Sequence, residues 1–463
     1  MQYIDVAIVG ASFSGLTLGH HLPADCTAVI LDRKPALDTA IETTGLITQA
    51  TYDLFKSFCD VDSYIPNRVT AIGVVAPDFE KHFFSYTDEP WIYTTDTPQL
   101  VKHISETLPQ NVELKLRAAV LSYEIHEGEE YPVRVVYQIG REKYELRAKF
   151  LVGADGSHSI VAARNPRLSK NKKFLAAQEK VFYGDITFGP RPESTVYHYW
   201  FGEFSLGYGG WLSPTILNGR NAFRLGLAKE MRDARELKKV DDFIEILKER
   251  GMIRMDEEKC VVSFGHMIPI GGALKNIEDG PTLLIGDAAG FCGAFAADGI
   301  KGAVVSGMVA GRLIPQYLSG KRDTLSQFHA EMQKHNRLMR YYKKQVLYRW
   351  IWEIMKTNRT FDALFELIAK EKDGFLNQFC DSKDRHKSLV SVVLRFKNIP
   401  ALIRYSWFMI LDLLKLKPQA AVMKTSGNAS QPERAHRPVT PPASRSTPVY
   451  ESSEASVQPP RSQ

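Results

Sequence analysis

Three small residues at fixed spacing, Gly10, Ser12 and Gly15, and a carboxylate at Asp32 form the first group in the chain whose types and positions can do chemistry. A Gly-x-Gly-x-x-Gly run between a strand and a helix lets backbone N–H groups close on a pyrophosphate, and an acid ~20 residues on accepts hydrogen bonds from a ribose. Serine takes the middle place here; it is small, and its hydroxyl can itself donate to a phosphate. Two more carboxylates stand in glycine turns, Asp155 in Gly153-Ala-Asp155-Gly156 and Asp287 in Gly286-Asp287-Ala-Ala-Gly290, and Asp298 precedes Gly299 and Ile300 at the head of a helical run. This set is suited to holding a phosphorylated, ribose-bearing ligand.

The elements that position these residues follow from the apolar pattern. Tyr3 to Val9 is mostly apolar and rich in β-branched residues, as a buried parallel strand requires, and it feeds a turn and a helix from Gly15 to Leu22. A second short strand, Thr27 to Leu31, ends at Asp32. Ile41 to Thr48 reads as a ligand-facing loop before a helix from Gln49 to Phe58, and Asn67 to Tyr93 alternates as strands do. Thr97-Pro98-Gln99 opens a helix to about Leu108, with proline in the first turn, where its missing N–H costs nothing. Strands follow at Val112 to Leu116, Ala119 to Glu127, Tyr131 to Ile139 and Glu142 to Lys149, three or four of them forming an antiparallel ribbon that delivers the chain to the apolar strand before Asp155.

From Val181 to Ala228 aromatic and β-branched residues alternate, which predicts a second sheet. It includes Tyr208 and Trp211, candidates for the wall of an apolar substrate site. Thr282 to Ile285 is a short strand, and Ile300 to Leu313 a helix whose Gly302, Ala303, Ser306, Gly307, Ala310 and Gly311 predict close approach by another element. Leu325 to about Lys417 is helical and basic. Beyond Pro418 the chain is rich in Pro, Ser, Gln and Arg, and 419–463 reads as a disordered tail.

At 463 residues with 44% hydrophobic and 24% charged content the chain can bury a large core, and a net charge of +6 gives no case for nucleic acid. Five scattered cysteines with no Cys-x-x-Cys pair point to neither a disulfide framework nor a metal site, and fit a reducing compartment. No leader precedes the first strand and no uncharged apolar run is long enough to span a bilayer, so the expected location is the cytoplasm.

The three stretches Gly10–Gly15 with Asp32, Gly153–Ser159 and Gly286–Gly299 resemble, in this order, the FAD-contacting motifs of flavoproteins with the p-hydroxybenzoate hydroxylase fold. Tyr208-Gly-Gly-Trp211-Leu-Ser213-Pro214, before the third motif, is similar to the Tyr-x-Trp-x-Phe-Pro run of the geranylgeranyl reductase family, with one residue more and serine for phenylalanine. The family's arginine after the acidic turn is shifted to Arg164, and its Cys-Gly pair is replaced by Thr44-Gly45.

The resemblance implies an α/β fold, a dinucleotide-binding FAD domain with an inserted antiparallel-sheet substrate domain and a helical C-terminal extension. The FAD domain is expected at 1–65, 111–165 and 271–324, substrate segments at 66–110 and 166–270, and the helical region at 325–418. It implies FAD bound by Gly10, Ser12, Ser14, Gly15, Asp32, Arg33, Gly45, Asp155, Gly286, Asp287, Asp298, Gly299 and Ile300, with Asp32 on the adenosine ribose. The helix begun at Ile300 would present its N-terminal dipole to the flavin's pyrimidine edge, where charge appears on reduction. The activity implied is reduction of C=C bonds in a polyprenyl chain on a lipid, quinone or pigment, with NADPH or a ferredoxin-like protein as electron donor. The alternatives are a flavin monooxygenase acting on an apolar substrate and a flavin-binding protein without turnover.

No residue can be named as the catalytic acid from sequence. Cys292 falls in the loop nearest the expected flavin but reads as a buried, inert thiol, and His158 and His198 have no carboxylate at informative spacing. In the segment 392–417 a strongly apolar helical run around Trp407 is punctuated by Arg395, Lys397, Arg404, Asp412, Lys415 and Lys417. It suits equally a helix lying in a membrane interface and one packed on the protein body.

Overall fold

The computed structural model describes residues 1–38, 43–189, 195–230, 239–373, 375–376 and 395–415. The expected tail at 419–463, residues 41–42 of the expected loop and both ends of the 392–417 segment lie outside the described residues.

The first strand, Gln2–Val9, runs through the middle of a seven-stranded sheet, where Val6, Ala7 and Ile8 are wholly buried. Burial on both faces is why it carries apolar residues without alternation. It pairs in parallel with Ala28–Leu31 on one side and with Glu142–Gly153 on the other. Val112–Lys115 pairs in parallel with Ala28–Leu31 at the sheet edge, which leaves three of the four expected strands for the antiparallel ribbon. The helix Thr97–Glu106, started by Asp96, whose side chain accepts from the Gln99 N–H, lies just before that strand in the chain and makes such a parallel crossover available. The ribbon has three strands, Ala118–Ile125, Val133–Ile139 and Glu142–Gly153. The last is continuous: what reads as two strands meeting at Lys149 is one, edged by the ribbon along its first half and by Thr282–Leu284 at its final three residues.

A second, eight-stranded sheet runs in the order Ile253–Met255, Phe174–Ile186, Arg220–Glu230, Gly209–Leu217, Val196–Trp200, Ala71–Val75 and His82–Tyr86, with Val262–Pro269 also paired to Phe174–Ile186. A small antiparallel sheet of Leu46–Thr48, Ile92–Thr94 and Asn67–Val69 completes the strands.

The small-residue helix spans Ile300–Leu318, and the element that approaches it is the first helix, Phe13–His21. A Cβ on Gly307 would come within 2.7 Å of the Ser14 carbonyl oxygen. Dense contact here fixes the pyrophosphate-type turn to the third motif.

The chain then forms the helices Phe328–Lys334, Leu338–Ile354, Asn358–Ala369 and Ile399–Leu413. Asp412 is buried and accepts from the N–H groups of Lys356 and Thr357 at 2.8 and 3.2 Å and from the Thr357 hydroxyl at 2.9 Å. It anchors the last helix on the protein body by capping the turn before Asn358–Ala369, so this one of the segment's charges faces inward.

Candidate cofactor and substrate site

One cavity of about 910 Å³ runs between the two large sheets and the C-terminal helices. Gly10, Ser12, Ser14, Asp32, Arg33, Asp155, Asp287, Asp298, Gly299 and Ile300 all lie on its wall. Gly15, Gly45 and Gly286 do not. Gly10 has a φ of +107°, and a Cβ there would run into the Ala154 carbonyl, so only glycine lets the first turn sit against the Asp155 turn.

Ser12 is the N-cap residue of the first helix, yet its side chain makes no capping hydrogen bond. Ser12, Phe13 and Ser14 line the cavity at the N-terminus of this helix, whose first-turn N–H groups have no intrahelical acceptor, which suits a pyrophosphate. Asp32 is held by the N–H groups of Ala11 at 2.6 Å and Lys34 at 2.8 Å, which aim a carboxylate with spare acceptor capacity. Asp155 accepts from the N–H of Ile160 at 2.6 Å and so caps the short helix Ile160–Arg164; burial raises its pKa. Asp287 follows the strand Thr282–Leu284, and among the described residues its carboxylate accepts no hydrogen bond; the His266 imidazole lies beside it, Nε2 at 3.8 Å. A half-buried carboxylate left without donors fits the hydroxyls of a ribityl chain or ribose. The donor set at this end of the cavity thus fits FAD. No cluster of three metal-ligating side chains occurs among the described residues.

The other arm of the cavity is apolar and aromatic. Tyr197, Tyr199 and Trp211 line it from the second sheet, and Trp352, Leu364 and Tyr405 from the C-terminal helices. Two of its phenols are turned onto protein: Tyr199 donates to the Tyr208 carbonyl and Tyr208 to the Ala296 carbonyl, each at 3.0 Å. Trp211 and Tyr208, named from sequence as substrate residues, meet edge to face on this wall, 6.2 Å between ring centres.

Sequence reasoning missed the group that holds the loop Phe291–Asp298 in place. From the helix Leu338–Ile354, Tyr341 donates to Asp298 Oδ2 at 2.7 Å and Tyr342 to the Phe291 carbonyl at 3.0 Å. Gln345 accepts from the N–H groups of Phe295 and Ala296 at 3.1 and 2.7 Å. Arg349 donates to the carbonyls of Ala294, at 2.8 Å, and Gly207. Tyr341, Gln345 and Arg349 recur every four residues, the one signal in the sequence for a shared helical face. Glu179 and Arg224, also missed, meet beneath Trp211. Cys292 lines the cavity, but burial raises its pKa far above the usual thiol range, which leaves it a poor nucleophile. His198 is a core residue off the cavity wall, its pKa lowered to about 4 by burial; His158 lines the cavity and stacks on Phe174. Arg164 is exposed and bonds the Leu121 carbonyl, away from the cavity.

The profile of the family described as FAD binding domain matches residues 3–340. The digeranylgeranylglycerophospholipid reductase 3 of Methanosphaera stadtmanae is 22% identical over 410 residues, an alignment that covers 85% of this chain and 96% of that protein. Among solved structures, a geranylgeranyl bacteriochlorophyll reductase-like protein of Thermoplasma acidophilum superposes with a TM-score of 0.68 at 16% identity, over 90% of this chain and all of that one. The flavin-dependent brominase Bmp2 gives a TM-score of 0.55 at 17% identity, over 75% of this chain and 89% of its own. At these identities the structural likenesses establish the fold, a mixed α/β architecture of the FAD-binding type.

Proposed function

Because the chain belongs to the FAD-binding-domain family and is an FAD-dependent oxidoreductase, we propose that it saturates C=C bonds of a polyprenyl chain carried on a lipid, quinone or pigment. The observation that supports this reading most is the second arm of the cavity, whose aromatic and aliphatic wall, with the Tyr199 and Tyr208 hydroxyls bonded to backbone carbonyls, suits a long hydrocarbon. A curated relative named as a reductase of a digeranylgeranyl lipid agrees with it.

In this reading Gly10, Ser12, Ser14 and Gly15 hold the pyrophosphate, Asp32 and Arg33 the adenosine ribose, and Asp287 with Gly286 the ribityl region. Asp155 acts mainly through the short helix it caps. Asp298, Gly299 and Ile300 set the positive end of the helix Ile300–Leu318 where reduction adds charge, while Gly45 shapes the loop opposite. When bound, FAD supplies two-electron chemistry; the protein's own groups orient the alkene and keep water out. NADPH or a ferredoxin-like protein serves as electron donor. Oxygen separates this reaction from hydroxylation: a hydroxylase consumes O₂ in step with product, whereas here product forms in its absence.

The last helix supports a peripheral location on the cytoplasmic face of a membrane. Tyr405 of Ile399–Leu413 lines the cavity, while Ile399, Ile403, Trp407, Ile410 and Leu414 make an exposed stripe at helical spacing. Lys415 flanks the stripe together with Arg404, which is paired with Glu366 at 2.6 Å, and the helix's one carboxylate, Asp412, is buried, so Lys415 is the charge on this face that suits an anionic lipid surface. No helix among the described residues is long and apolar enough to cross a bilayer. Trp407, 57% exposed, should contribute roughly 1.5–3 kcal/mol on insertion. Trp407→Glu is accordingly expected to weaken co-sedimentation with anionic phospholipid vesicles by about tenfold or more, with flavin content unchanged. Equal binding by the two proteins would remove the membrane from the account.

A further inference from the structure

Glu179 lies on the strand Phe174–Ile186, lines the cavity and is 1% exposed. Its Oε2 accepts from Trp211 Nε1 at 2.7 Å, while its Oε1 has no hydrogen-bond partner among the described residues. The indole reaches it by lying across Gly226, the cross-strand neighbour of both Glu179 and Trp211, where any Cβ would collide with the ring. Two residues along the same strand face, Ala177 pairs with His266, whose Nε2 is 3.8 Å from Asp287. Same-face neighbours are about 6.6 Å apart, so Glu179 stands one side-chain repeat from the cofactor end of the cavity, against the apolar arm. One carboxyl oxygen is thus tied to an indole, and the other, with no hydrogen bond among the described residues, stands on an apolar cavity with the Arg224 guanidinium as its ion-pair neighbour.

We propose that Glu179 is the acid that delivers the proton completing saturation of the double bond. The proposal rests on the reductase reading. The π bond breaks; one alkene carbon receives two electrons and a proton from the reductant, a dihydroflavin, and the other receives the Glu179 proton. Two C–H bonds form, the flavin ends oxidised, and Glu179 is left as a carboxylate that a solvent proton restores. Arg224 Nη1, 3.9 Å from Oε1, stabilises that carboxylate, and is itself aimed by hydrogen bonds to the Thr44 carbonyl and, at 3.2 Å, to the Thr215 hydroxyl. Burial raises the Glu179 pKa against the opposing pull of Arg224 and Trp211, which keeps the acid form available above the ordinary carboxylate range. Tyr197, the other titratable group facing it, has its pKa pushed far above the usual phenol value and is a much weaker acid.

The test uses FAD-loaded protein, a polyprenyl lipid and no oxygen. Glu179→Gln should keep its flavin and lose ~10²–10⁴-fold in turnover, the range for removal of a general acid, and Glu179→Asp should recover part of it. The wild-type rate should fall as pH rises through the Glu179 ionisation, and this limb should vanish in Glu179→Gln. In flavin-free protein, the infrared carbonyl band of a protonated carboxyl should titrate with the same midpoint and be missing from Glu179→Gln. If the amide variant fails to fold, the Glu179→Asp rate and the shift of its pH limb decide. A competent wild type together with a competent Glu179→Gln overturns this proposal alone. A wild type that reduces no lipid overturns the reductase reading, and the proposal with it.

Discussion

Asp287→Ala yields a folded protein that no longer retains FAD. The carboxylate sits in the turn Gly286–Gly290, whose shape depends on backbone bonds and not on the Asp287 side chain: Gly290 N–H donates to the Asp287 carbonyl, as does Asn171 Nδ2 at 2.8 Å. Removing the carboxylate leaves these bonds in place, and it leaves no protein donor orphaned among the described residues. What is lost are the hydrogen bonds from cofactor hydroxyls to a charged acceptor, about 1.5–3 kcal/mol each. Affinity for FAD should fall by roughly 10- to 150-fold, measured by flavin fluorescence on titration into flavin-free protein. Far-ultraviolet circular dichroism and the thermal midpoint of that protein should match the wild type's. Full yellow colour after dialysis would place the cofactor elsewhere.

The second large effect is expected at Arg349, far from any recognised motif. The guanidinium is buried with its pKa lowered by desolvation, and it bridges the cofactor loop at Ala294 to the Gly207 turn beside Tyr208. Arg349→Met fills similar volume but leaves two carbonyls without donors. Hydrogen bonds from a charged donor contribute about 1.5–3 kcal/mol each, and relief from burying a charge offsets part of their loss, so a net destabilisation of about 2–4 kcal/mol follows. Arg349→Lys should also be impaired, since an ammonium has no planar fork to reach both carbonyls. Denaturant midpoints should fall for both, and FAD affinity with them, because the loop would lose its tie at Ala294 and keep only those that Gln345 and Tyr208 make at Phe295 and Ala296. An unchanged midpoint in Arg349→Met would show that the bridge is incidental.

The parts of this molecule legible in its sequence are those where local pattern and tertiary environment coincide. Gln2–Val9 is apolar because both its faces are covered, and Thr97–Glu106 announces itself through Asp96 and Pro98. Pairing is a different matter. Val112–Lys115 alternates apolar and charged residues as a ribbon strand would, and only the assembled sheet makes it a parallel edge. Glu142–Gly153 changes from alternating to uniformly apolar at Phe150 because the same strand passes from the ribbon into the sheet centre, which in sequence looks like a boundary.

The site divides in the same way. Its glycine turns and their carboxylates are close in sequence and readable. Glu179, between Gln178 and Lys180, looks like part of a solvated strand face until the C-terminal helices and second sheet enclose it. Tyr341, Gln345 and Arg349 lie in a helix with mixed polar and apolar residues, so their common face stands out only once its target loop is known. The dense small-residue face of Ile300–Leu318 was legible as a contact surface, whereas its partner, the helix Phe13–His21, was not.

We propose that this cavity presents a hydrocarbon chain to a flavin for saturation. That role is tested most directly by reducing the purified FAD-loaded protein with dithionite under strict anaerobiosis, removing excess reductant, and adding a digeranylgeranyl lipid. The account predicts that the oxidised flavin spectrum returns without oxygen and that the lipid gains about two mass units per double bond. A flavin that stays reduced until oxygen is admitted, with lipid mass unchanged or raised by an oxygen atom, would contradict it.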